Sequence, residues 1–256
     1  MPQSKRQPPN SNDRVAEFFL LGRLDYGTWQ SFQRRLAYQA SADVRNRLVV
    51  VCCEHSAEIT VGRNGSRAHI RLTQDELNRA GLSVRWVNRG GGVVLHGPGQ
   101  LAIYPIASLD GCGWSTDEFM RHFHDGLRAT IESLGIRIVA RGASTSVWTR
   151  RGLLVATGVA VDDRTTTYGA FVNVNPQRSW QGFIDTAAGQ SGGDHHTTTS
   201  SLFAERRRSV RMTEVRSAVV EHLTQAFGCQ RHELHTVHPW LKQTTGPACE
   251  HVARVA

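Results

Sequence analysis

The stretch Asn88-Arg89-Gly90-Gly91-Gly92-Val93-Val94-Leu95-His96-Gly97-Pro98-Gly99-Gln100-Leu101-Ala102-Ile103-Tyr104-Pro105-Ile106 decides how this chain reads. It holds five glycines, Pro98 and His96, and it runs into an apolar segment with the character of a strand. Glycine lets the main chain turn at positive φ and lets another backbone or a ligand approach closely. A loop of this composition presents backbone N–H groups to a substrate oxygen. It is not a phosphate loop, because Gly-Lys-Ser/Thr is absent, and it is not a dinucleotide loop of the GxGxxG type.

Outward from this loop the chain reads as alternating strands and helices. Strands are expected at 18–23, 47–53, 58–63, 84–88, 101–106, 136–140, 153–161 and 168–174. Helices are expected at 26–39, at 73–80 with Thr73 as N-cap and Gly81 as stop, at 115–134, and at 213–227. The 115–134 helix is the clearest. Ser115 can cap it, Glu118 completes a capping box, Gly135 ends it, and Phe119, Phe123, Leu127 and Ile131 recur at i, i+4. No repeat and no linker interrupts residues 13–228. The expected organisation is a lead at 1–12 read as disordered, one α+β domain at 13–228 with a mixed sheet and packed helices, and a tail at 229–256.

The 256 residues are 39% hydrophobic and 20% charged, an ordinary globular composition. No apolar run approaches the roughly 20 residues of a membrane span, and the first residues lack the apolar core of a signal peptide. A cytoplasmic protein without a membrane partner is expected. The net charge is +8, and all but two of the 30 basic residues are arginine. The lysines are Lys5 and Lys242, so the body of the chain has no amine nucleophile or lysine base. No helix-turn-helix, zinc finger or RNA-binding aromatic signature appears, and no nucleic-acid partner is expected. The cysteines are Cys52, Cys53, Cys112, Cys229 and Cys249, with no CxxC pair. Cys52 and Cys53 end an apolar run and read as buried, reduced thiols. His232, His235 and His238 have i, i+3, i+6 spacing, but Pro239 follows them, and neither a metal nor a cofactor is expected.

Taken in order, Arg-Gly-Gly-x-x-x-x-His-Gly-Pro-Gly-Gln-Leu-x-x-Tyr-Pro-Ile resembles the signature of the lipoate-protein ligase B family, the octanoyltransferases of lipoate assembly. The resemblance extends over residues 18–228. Leu21-Gly22, Asp25-Tyr26, Trp29, Glu54-His55, Val61-Gly62-Arg63, 142–148, Ala156-Thr157-Gly158-Val159, 168–174 and Thr199-Ser200-Ser201-Leu202 follow in the family's order. It implies the α+β fold of the biotin and lipoate protein ligases. It also implies transfer of octanoyl from octanoyl-acyl carrier protein to a lysine on lipoyl domains of 2-oxoacid dehydrogenase or glycine cleavage proteins. The implied acyl pocket is Arg89, Gly90, Gly91, Gly92, Val93, Val94, Leu95 and His96, with Ala156, Thr157, Gly158, Gly169, Ala170 and Phe171.

Four positions depart from that family. Its members pass the acyl group through a cysteine whose thiol is activated by a lysine. A thiolate is the nucleophile that thioester exchange needs, and a nearby cation makes it available at neutral pH. Here Leu153 stands at the lysine position. Ala188, or a close neighbour, stands at the cysteine position. Val94 replaces the usual threonine and Tyr168 the usual histidine, so the pocket is less polar. Four readings follow: an acyltransferase in which the target amine attacks directly, a catalytically inactive relative that binds acyl chains or lipoyl domains, an ATP-dependent ligase of the same fold, and a transferase whose nucleophile has moved to Ser191, Thr186 or Cys52.

Overall fold

A computed structural model describes residues 14–42, 46–141, 144–180, 182–186 and 198–241. Among them a seven-stranded mixed sheet carries the fold. Its order is β10 (Arg231–His235), β1 (Val15–Leu24), β2 (Arg47–His55), β6 (Gln100–Ala107), β9 (Thr165–Asn173), β8 (Gly152–Asp162) and β7 (Val147–Thr149). β1 runs parallel to β2 and β10, and the remaining neighbours are antiparallel. A smaller sheet has the order β4 (Ser83–Trp86), β3 (Glu58–Val61), β5 (Val93–His96).

Side chains alternate across a strand, so each strand of the large sheet feeds two cores. One face packs Phe18, Leu48, Val50, Ile103 and Val172 against the short α3 (Leu109–Cys112), α4 (Thr116–Ser133) and α6 (Met212–Ala226). The other packs Phe19, Val51, Tyr104, Leu153 and Phe171 with Trp29, Phe32 and Leu36 of α1 (Tyr26–Ala42). The small sheet has its own core of Ile59, Val61, Ile70, Leu77 and Val93. Leu77 comes from α2 (Gln74–Arg79), for which Thr73 is the N-cap.

The stripe of α4 faces the core as its spacing requires, and Ser115 and Glu118 close a reciprocal capping box at 3.1 and 2.8 Å. Residues 136–140 differ from expectation. They make one bridge, Val139 to Trp148, instead of a strand. Their partner β7 has only three residues and a register shift at Val147–Trp148, so there is no ladder to extend. β10 lies in the segment read from the sequence as a tail, and the sheet runs on past residue 228. The rings of His232 and His235 pack on Phe18 and Phe19, and His238 packs on Phe19 and Phe32. None of the described helices is long and apolar enough to cross a membrane.

Candidate acyl site

The Gly-rich block is pinned from both sides. The backbone N–H of Gly90 donates to the carbonyl of Val159 in β8, and those of Gly62, Arg63 and Asn64 donate to Gly92, Arg89 and Gly91. A Cβ on Gly158 would sit 2.5 Å from the Gly90 carbonyl oxygen, closer than any side chain is tolerated. Glycine at 158 is therefore what lets the loop press onto β8. Gly169 pairs with it across the β8–β9 ladder.

Behind the loop a buried polar chain fixes the wall. The Arg89 guanidinium is 1% exposed. Its Nη1 donates to the Gly90 carbonyl, and its Nη2 donates to Thr60 O and, at 2.8 Å, to Thr60 Oγ1. Gln100 Oε1 can only accept, so His96 donates to it from Nδ1 at 3.0 Å. His96 Nε2 then accepts from Thr60 Oγ1 at 2.8 Å. Gln100 Nε2 donates to Leu95 O and Asn173 Oδ1. Asn173 Nδ2 donates to Ser200 O, and Ser200 Oγ donates to Glu205 Oε1. One hydrogen-bonded line thus joins the Gly-rich block to α5 (Leu202–Arg206).

Burial keeps the histidines on this wall neutral. His96 is held well below the ordinary imidazole range by desolvation, then by His55 and Arg89. His55 is pushed down to about 4 by desolvation. It donates from Nδ1 to the Leu24 carbonyl, so its Nε2 accepts from the phenol O–H of Tyr104 (Oη) at 2.7 Å. These rings, with Trp29 stacked on Tyr104 at 3.8 Å, form a buried aromatic cluster behind the cleft and not a proton-transfer pair.

The cleft in front of this wall is lined by Val94, Leu95, Leu153 and Ala156, with Gln100, Asn173, Pro176, Gln177, Trp180, Gly182, Ile184, Thr186, Thr199 and Ser200 around them. Of the residues expected at an acyl pocket, Val94, Leu95 and Ala156 reach the cleft, together with Leu153. Arg89, His96 and Phe171 stand behind it; the Phe171 ring lies 4.6 Å from His96 and 5.6 Å from the Arg89 guanidinium. Gly90, Gly91 and Gly92 form the loop's bonded backbone. Thr157 turns to Thr145 and Ser146. Val93 belongs to the small-sheet core, and Ala170 to the core under α4 and α6. Ala188 lies outside the described residues, two positions after Thr186. Ser191 also lies outside them.

No thiol among the described residues lines the cleft. Cys52, Cys53 and Cys112 are buried, and desolvation pushes Cys52 up to about 12, Cys112 to about 11 and Cys53 higher still. Cys229 is pushed up to about 12. None of these is a thiolate at neutral pH.

Sequence reasoning missed Trp180, Gln100, Asn173, Thr199 and Ser200 as lining residues. Gln100, Asn173, Thr199 and Ser200 sit inside the ordered blocks and were readable there. Trp180 seats its ring over Gly97, a contact with no local signal.

Residues 25–224 match the family described as the lipoyl protein ligase A/B catalytic domain. An octanoyltransferase of Syntrophobacter fumaroxidans is 31% identical over 214 residues, covering 84% of this chain and 91% of that protein. One from a Roseiflexus species is 28% identical over 245 residues, covering 94% and 99%. Among solved structures, a putative lipoate protein ligase from T. acidophilum with bound lipoic acid superposes with a TM-score of 0.64 at 13% identity, over 88% of this chain and 90% of that one. A lipoate-protein ligase A bound with ATP gives 0.63 at 13% identity, over 87% and 88%. Those two likenesses establish the lipoate-ligase fold.

Proposed function

This chain belongs to the lipoyl protein ligase A/B catalytic-domain family, and from that premise we propose that it moves an octanoyl group from acyl carrier protein to a lysine amine of lipoyl domains by direct attack of the amine. The lipoyl domains would be those of 2-oxoacid dehydrogenase or glycine cleavage proteins, met in the cytoplasm. The observation that carries this reading is the cleft itself. Val94, Leu95, Leu153 and Ala156 give it an apolar wall on a hydrogen-bonded frame, while every described thiol lies elsewhere with its pKa raised. Each CH₂ of an acyl chain buried there gains about 0.8 kcal/mol, so an eight-carbon chain gains several kcal/mol before ordering costs. Holding the thioester and the amine together supplies the rate, since orientation alone is worth several powers of ten.

A second reading, a non-catalytic binder of acyl chains or lipoyl domains, is favoured by one observation. Leu153 is 1% exposed and lines the cleft with hydrocarbon, at the position to which the resemblance assigns the activating lysine. The two readings share the cleft and differ in turnover.

Ala156→Phe tests the cleft. Ala156 stands among Val94 and Leu153 with little room for a ring. We expect octanoate binding, measured by calorimetry, to weaken about tenfold or more, which is 1.4 kcal/mol or more. We expect transfer from octanoyl-acyl carrier protein to a lipoyl domain to fall with it. Unchanged binding in a folded Ala156→Phe protein would place the acyl chain elsewhere.

A further inference from the structure

Direct attack of an amine on a thioester leaves a proton to be placed, and neither a lysine nor a thiolate is present in the described cleft to take it. Ser200 is 5% exposed and lines the cleft beside Leu153. Its main chain is held on both sides: its N–H donates to the Leu153 carbonyl at 2.8 Å, and its carbonyl accepts from Asn173 Nδ2 at 3.2 Å. Its hydroxyl donates to Glu205 Oε1. The same carboxyl oxygen accepts from Thr149 Oγ1 at 2.6 Å, and Arg151 Nε lies 4.0 Å from Oε2. Among the described residues no donor reaches Ser200 Oγ, so the oxygen keeps its lone pairs for an incoming N–H.

We propose that Ser200 is a catalytic residue of this cleft, accepting the proton of the attacking lysine amine while passing its own to Glu205. The inference rests on the acyl-transfer reading above. The amine nitrogen forms its bond to the thioester carbonyl carbon, and the carbonyl π pair moves to oxygen. The N–H proton passes to Ser200 Oγ as the Ser200 hydroxyl proton passes to Glu205 Oε1. When the tetrahedral adduct collapses, the C–S bond breaks, and the proton returns from Glu205 through Ser200 to the leaving sulfur. The products are an amide and the carrier's free thiol, with Ser200 and Glu205 as they began. Glu205 touches no reactant; it acts through Ser200, and Thr149 and Arg151 hold its carboxyl in place.

The test compares the full-length protein with Ser200→Ala, Ser200→Thr and Glu205→Gln. Each is assayed for octanoyl transfer from octanoyl-acyl carrier protein to a lipoyl domain, for octanoate binding by calorimetry, and for melting temperature. Loss of a positioned proton acceptor costs about 100-fold or more in kcat. We expect that loss in Ser200→Ala and Glu205→Gln with KM and octanoate affinity unchanged, and we expect Ser200→Thr to recover most of the rate. Retained kcat in Ser200→Ala overturns the proposal. So does parallel loss of kcat and octanoate affinity, since that describes a wall residue. A wild-type protein that binds octanoate but transfers nothing overturns the transfer reading, and this proposal with it; a wild type that transfers as fast as Ser200→Ala overturns this proposal alone.

Discussion

Leu153→Lys combined with Ala188→Cys is expected to raise octanoyl transfer about 100-fold above wild type, a barrier lower by about 2.7 kcal/mol. It is also expected to make an octanoyl-enzyme visible. Neither change should suffice alone. A cysteine without a cation keeps an ordinary thiol, only a few per cent ionised at neutral pH. A lysine without a thiolate is an amine placed at a 1% exposed position among Val94, Leu95 and Ala156, and burying an unpaired charge is costly. Leu153→Lys alone should therefore lower the melting temperature without raising the rate, and Ala188→Cys should restore part of that stability when added. Burst kinetics under single-turnover conditions would follow the acyl-enzyme. A double variant that folds, still binds octanoate and shows neither a burst nor a faster rate would mean that positions 153 and 188 cannot host the cation and nucleophile of a covalent route.

Gly152→Ala is expected to destabilise the protein by about 3 kcal/mol or more and to remove acyl binding. Gly152 opens β8 with φ at 141°, a backbone conformation that side chains other than hydrogen disfavour. An added Cβ would also meet the Thr198 carbonyl oxygen at 1.9 Å. That carbonyl accepts the N–H of Leu153, and the Leu153 carbonyl accepts the N–H of Ser200. Forcing Thr198 away thus unseats residues 198–200, which form one side of the cleft next to Leu153. Urea unfolding and octanoate calorimetry check this. A Gly152→Ala protein with wild-type stability would mean that the 198–200 segment yields without cost.

What was legible in the sequence follows from where each signal resides. The caps of α2 and α4 are local: Thr73 with Glu76 and Ser115 with Glu118 sit three residues apart, and the structure forms both boxes. The buried strands β2 and β8 announce themselves by unbroken apolar runs. β10 does not. Arg-His-Glu-Leu-His is polar and mostly exposed, and it is a strand because β1 offers it a parallel edge and because Phe18 and Phe19 receive two of its rings. The Gly-rich block was legible as a unit because its parts are contiguous. That Arg89 and His96 stand behind the cleft was not, since their burial is set by Thr60, Gln100 and Phe171 from three other strands. Ser200 escaped for the same reason: its place beside Leu153 depends on a bridge spanning 46 residues, between Leu153 and Thr199.

In the proposed reaction the octanoyl group passes through this cleft without ever being bonded to the protein. Intact-mass spectrometry of the wild-type protein, quenched at intervals during incubation with octanoyl-acyl carrier protein and a lipoyl domain, separates this route from a covalent one. The lipoyl domain is expected to gain one octanoyl group while the mass of the protein itself never changes. A hydroxylamine-labile octanoyl adduct on Cys52, Cys53, Cys112 or Cys229, formed and consumed at the rate of transfer, would contradict it and restore the covalent route.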